Sequence, residues 1–111
     1  MQQINEKNQK FRHGDYGPKY MFRGPNIDWG IIVLKKGIEL GYHYHNIVEE
    51  TFYLVDGNAK FIINDKVYEA IEGDAFRMEP GDKHNIIPVS DTIKLIFIKY
   101  PYNPDDKVDV K

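Results

Sequence analysis

The chain has 111 residues, 15 basic and 17 acidic side chains, a formal net charge of −2 and no cysteine. That length fits one domain, the missing thiols exclude disulfides and thiolate metal sites, and the balanced charge gives no clustered Lys/Arg platform for nucleic acid. The opening Met1–Glu6 is polar, without the apolar core of a signal peptide, and no apolar run approaches the ~20 residues of a membrane helix. The expected setting is the cytoplasm, with no membrane or nucleic-acid partner.

In chain order, residues 1–10 read as a loose polar segment tethered at Ile4. His13–Pro18 and Arg23–Asn26 carry turn signals. Short β-rich runs follow: Trp29–Leu34, Glu39–His45, Thr51–Val55, Lys60–Ile63, Val67–Ile71, Ala75–Met78, Lys83–Val89 and Thr92–Tyr100. Asn64-Asp65 between two of them is hairpin chemistry. Pro101 and Pro104 end regular pairing, and residues 105–111 form a charged tail. About eight strands at roughly 8–12-residue spacing, with no sustained helical periodicity, predict an all-β sandwich or barrel. Several strands are apolar at both parities, as in Leu95-Ile96-Phe97-Ile98, so both faces are expected to be covered.

Three of the four histidines fall in two glycine-flanked clusters. The first reads Gly37-x5-His43-x-His45-x4-Glu50-x6-Gly57, and the second Gly73-Asp74 followed by Pro80-Gly81-x2-His84. Residues i and i+2 of a strand share a face, which places His43 and His45 ~6.5–7 Å apart at Cα and able to converge on one cation. Glu50 opens the next strand and His84 follows a Pro-Gly turn, so either can return to the pair. Imidazole and carboxylate suit a divalent first-row metal such as Mn, Fe, Co, Ni or Zn, not Ca²⁺ or Mg²⁺, which favour oxygen ligands. Four protein ligands on an octahedral ion leave two positions for water or substrate.

These two clusters resemble the paired sequence motifs of the cupin superfamily over residues 37–88. The resemblance implies a single-domain double-stranded β-helix, or jelly roll, with His43, His45, Glu50 and His84 at the metal-ligand positions. It favours Glu50 over the adjacent Glu49, because the spacing from Glu50 to Gly57 fits the motif. Glu79 stands where a proline is usual and Pro88 where an asparagine is common. A homodimer is expected from the family and from the two-sided apolar strands.

Among other residues, Phe52, Leu54, Met78, Ile86 and Phe97 are expected in the barrel interior, with Met78 and Ile86 the candidates for pocket wall. Tyr42 and Tyr44 face away from the histidines. Glu49, Glu79 and Lys83 are the nearest further titratable groups, and Arg77 and Lys83 could meet an anion. Three functions compete: a metal-dependent isomerase, decarboxylase or dioxygenase acting on a small polar metabolite, a non-enzymatic sensor module binding a small molecule or metal, and a structural or storage protein. A domain of 111 residues disfavours the last two, whose cupin examples are usually fused or two-domain.

Overall fold

Alternation of buried and exposed side chains runs through most of the strands of the computed structural model, which describes residues 1–110. After a 3-10 turn at Glu6–Asn8 the strands are β1 (Gly17–Arg23), β2 (Asp28–Lys35), β3 (His43–Tyr44), β4 (Glu49–Asp56), β5 (Ala59–Ile63), β6 (Lys66–Ala70), β7 (Ala75–Met78), β8 (His84–Pro88), β9 (Thr92–Tyr100) and β10 (Val108–Asp109). They form two five-stranded sheets, ordered β1-β2-β9-β4-β7 and β10-β3-β8-β5-β6, with antiparallel pairing throughout. No helix among the described residues is long and apolar enough to cross a membrane.

One parity of each long strand points between the sheets. Ile32 and Leu34 from β2, Phe52 and Leu54 from β4, and Ile93, Leu95 and Phe97 from β9 meet Phe61 and Ile86 of the second sheet. Each such side chain contributes about 1.5–3 kcal/mol through burial. Gly30 permits a close approach: a Cβ there would lie 2.1 Å from the Lys19 carbonyl oxygen. The register of β1 shifts beside it, between Tyr20 and Phe22, and Tyr20 lies edge-on to Phe97 with ring centroids 5.2 Å apart. Asn64 and Asp65, at φ 49° and 68°, form the expected hairpin between β5 and β6, the conformation a type I′ turn requires.

Three expectations need correction. β1 is an additional strand within a segment whose flanks read as turns. The run Glu39–His45 pairs only at His43–Tyr44, since Gly41 takes φ +96° and breaks the extended backbone. The tail does not simply trail off after Pro104: Val108 and Asp109 pair with Tyr44 and His43, and Asp106 is buried. Its final residue, Lys111, lies outside the described residues. At the other terminus Glu6 reaches Lys94 at 3.1 Å and Lys19 at 3.6 Å, and the Phe11 ring sits 4.2 Å from the Lys19 ammonium.

Candidate metal centre and its cavity

His43 and His45 come from β3 and the loop after it, His84 from β8, and Glu50 from β4 in the facing sheet. The four side chains are buried, and one donor atom from each lies within 4.8 Å of all the others. The structure thus brings all four predicted residues together. Pairing explains how: His43 stands directly opposite His84, and the Gly81 N–H donates to the His45 carbonyl at 2.7 Å, tying the two motif loops together.

Backbone carbonyls set the imidazole tautomers. His43 donates Nδ1–H to the Gly41 carbonyl at 2.9 Å, His84 to the Asp82 carbonyl at 2.9 Å, and His45 to the Asp106 carbonyl. Each Nε2 is then left with a lone pair. His45 Nε2 is 3.1 Å and His84 Nε2 3.5 Å from Glu50 Oε1, and His84 Nε2 has no hydrogen-bond partner among the described residues. Four buried acceptors facing one another without a shared proton are electrostatically unfavourable. A divalent cation resolves that conflict, so the residues present fit a metal. Burial, and then the neighbouring His84, lower the His43 pKa to about 4, leaving the neutral imidazole that a metal requires. Burial alone would raise the Glu50 carboxyl. In the metal-free protein a proton on His45 Nε2 or His84 Nε2 would turn those contacts into hydrogen bonds to the carboxylate, and these, together with the charge of Lys99, outweigh burial and hold Glu50 below the usual carboxylate range. A cation takes the place of that proton.

Asp106 is the residue sequence reasoning missed. Besides accepting from His45, it receives the backbone N–H groups of Asn46, Ile47 and Val48 on its carboxylate at 2.9, 2.7 and 2.8 Å. One residue therefore orients a ligand imidazole and clamps the loop between His45 and Glu50. Burial would raise its carboxyl, but those three donors hold it below its ordinary value of 3.8. One of three aspartates in a charged tail, beside Asp105 and near Asp109, gives no local signal of this role.

In front of the four residues opens a cavity of about 320 Å³. His43, His45 and Glu50 line it, with Phe52 and Phe97 as apolar wall and Arg12, Lys99 and Lys107 among its charges. Of its acids, Glu50 belongs to the cluster, Asp106 is occupied by N–H donors, Asp28 lies 3.5 Å from Arg23, and Asp105 is exposed at the rim. Lys107 lies 3.6 Å from Asp109, so with a divalent ion present Arg12 and Lys99 stand against Asp105 alone and the balance is positive.

The other candidates lie elsewhere. Glu49 faces outward, 3.9 Å from Arg77, which also lies 3.5 Å from Glu79. Lys83 is exposed. Met78 and Ile86 belong to the packed core rather than to the cavity wall. Tyr42 points away from the histidines, donating its hydroxyl to Asp65 at 3.0 Å and accepting the Asp65 N–H at 2.9 Å. His13 stays in its turn, stacked on Tyr16 at 5.0 Å.

Comparisons with known proteins agree on the fold. No curated protein matches the chain. Among solved structures, a double-stranded β-helix protein from Klebsiella pneumoniae superposes with a TM-score of 0.83 at 16% identity, covering 100% of this chain and 98% of that one. KdgF from a Halomonas species gives 0.80 at 17%, covering 92% and 94%. A protein from Planctomyces limnophilus gives 0.80 at 20%, covering 96% and 95%. At such identities the likeness is one of fold, and it matches the expected all-β jelly roll. Residues 30–99 match the Cupin_2 family, described as a cupin domain, and the chain belongs to that family.

Proposed function

We propose that this cupin is a metal-dependent enzyme acting on a small, anionic polar metabolite, with His43, His45, Glu50 and His84 as ligands of one Mn, Fe, Co, Ni or Zn ion. The observation that carries the reading is the convergence of a buried carboxylate with three buried imidazoles whose tautomers are set by backbone carbonyls, beside a cavity large enough for a metabolite. The bound ion would supply Lewis acidity toward a carbonyl or carboxylate oxygen. The chain's own groups do the rest: Phe52 and Phe97 wall the space against water, and Arg12, Lys99 and Lys107 attract the anion and orient it. The proposal includes a homodimer, supported by large apolar side chains on the outer face of the first sheet. Tyr53 is 44% and Ile98 42% exposed there.

Elemental analysis of purified protein after metal loading tests the centre. About one ion per chain in the wild type and none in the His43→Ala/His84→Ala double variant is the expected result. A wild type that takes up none of the five metals overturns the reading. Turnover of sugar acids or other small carboxylates by the loaded protein then separates an enzyme from a binding module.

A further inference from the structure

The cluster is one end of a longer polar row. Reading across the first sheet at one level, Arg23 of β1 stands opposite Asp28 of β2, Asp28 opposite Lys99 of β9, and Lys99 opposite Glu50 of β4. Residues in register across a sheet share a face, and all four line the same cavity. The charges alternate along the row.

Its middle is incompletely satisfied. Asp28 is 2% exposed, Arg23 approaches its Oδ2 at 3.5 Å, and its Oδ1 has no hydrogen-bond partner among the described residues. A buried carboxylate oxygen left unpaired is costly and calls for a donor. Lys99 donates to the Tyr20 hydroxyl at 3.3 Å and packs near the Phe97 ring at 5.4 Å, but no carboxylate lies within ion-pair distance of its ammonium among the described residues. The Tyr20 hydroxyl, accepting from Lys99, keeps its own proton to give. A cation for a carboxylate, an acceptor for a hydroxyl and a hydroxyl donor (Lys99, Asp28 and Tyr20) therefore sit one, two and three strands from Glu50.

We propose that Asp28, Lys99 and Tyr20 form a subsite for a hydroxy acid. The Lys99 ammonium takes the carboxylate, the free Asp28 oxygen takes a hydroxyl proton as a hydrogen bond, and Tyr20 donates to a second ligand oxygen. The subsite rests on the proposed metal-dependent reading, whose cavity it completes. Neighbouring strands are ~4.8 Å apart, so the backbones at Asp28 and Glu50 stand roughly 10 Å apart, which puts the subsite and the metal cluster within reach of one small metabolite.

Three probes test it by calorimetric titration of metal-loaded protein. D-gluconate carries both features, hexanoate lacks the hydroxyls and glucose lacks the carboxylate. Wild type should bind gluconate at least about tenfold more tightly than either, the scale of one lost hydrogen bond to a charged group. Lys99→Met should weaken gluconate by about 10–100-fold and leave glucose unchanged. Asp28→Ala should weaken gluconate by about tenfold and leave hexanoate unchanged. If Asp28→Ala does not fold, Asp28→Asn, which keeps the shape with a neutral acceptor, should show a smaller loss of about threefold in gluconate binding. Metal content is measured on the same samples. Full metal with no preference for gluconate, or with affinity untouched by both substitutions, overturns the subsite alone. A wild type without metal overturns the metal reading together with it.

Discussion

The two ends of this sandwich are built by the same strands and differ in what those strands point inward. At one end β2, β9, β4 and β8 contribute Leu34, Ile93 and Leu95, Leu54, and Ile86, all 1% exposed or less. At the other end β2 contributes Asp28, β9 Lys99, β4 Glu50 and β8 His84, and the sheets part around a cavity. Parity is unchanged along each strand, so the polar end is not an irregularity of fold. It is the apolar pattern continued with other side chains at strand termini, and the closed end supplies the stability that holds those polar groups in place.

If that division is right, the two ends respond separately. Phe61→Ala, in the closed end with no exposed surface, should cost about 3–5 kcal/mol of folding free energy in a denaturant titration. The fraction that still folds should keep its metal stoichiometry. His84→Ala should do the reverse in one respect: the rise in unfolding free energy on adding metal, about 2.7 kcal/mol at a hundred times Kd, should vanish. A metal response that survives in His84→Ala would remove that residue from the centre.

Asp106→Ala should lose about 2–3 kcal/mol through three orphaned N–H donors. It keeps the backbone carbonyl that accepts from His45, so metal binding should weaken by less than about tenfold, through loosening of the 46–48 loop alone. The sign of its pH dependence follows from the depressed carboxyl. The contribution is fully present above the ordinary carboxylate range and is lost as pH falls through that range toward the lower folded-state value. The stability gap between wild type and Asp106→Ala should therefore close on acidification below about pH 4. A gap that stays constant down to pH 2 would show that packing, not the charged acceptor, is responsible. The smallest expected effect belongs to Tyr42→Phe, which removes the hydroxyl from the β5–β6 turn. It should cost about 1 kcal/mol and leave metal affinity unchanged.

Much of this was readable from residue order because it is local. The i, i+2 spacing of His43 and His45 survives translation into structure, as do the Asn64-Asp65 turn and the alternation Ile93-x-Leu95-x-Phe97. What stayed hidden is non-local. Gly17-Pro18-Lys19 does not look like a strand, and Lys19 is covered only because Glu6 and Phe11 lie over it. Asp28 looks like a turn residue after Gly24-Pro25-Asn26, and Lys99 like a solvated strand end. Only the register Arg23–Asp28–Lys99–Glu50 shows that they share a wall. Asp106 is hidden for the same reason, since nothing near position 106 refers to position 45.

That separation gives the centre a history as well as a geometry. Asp106 follows His45 by 61 residues. At a synthesis rate of ~5–20 residues per second, His45 precedes its orienting carbonyl by about 3–12 seconds. During that interval the His45 tautomer is not yet enforced and the N–H groups of Asn46, Ile47 and Val48 lack their acceptor. The loop between His45 and Glu50 therefore reaches its final form only once the end of the chain is in place, and the candidate ligands are the last part of the fold to be fixed.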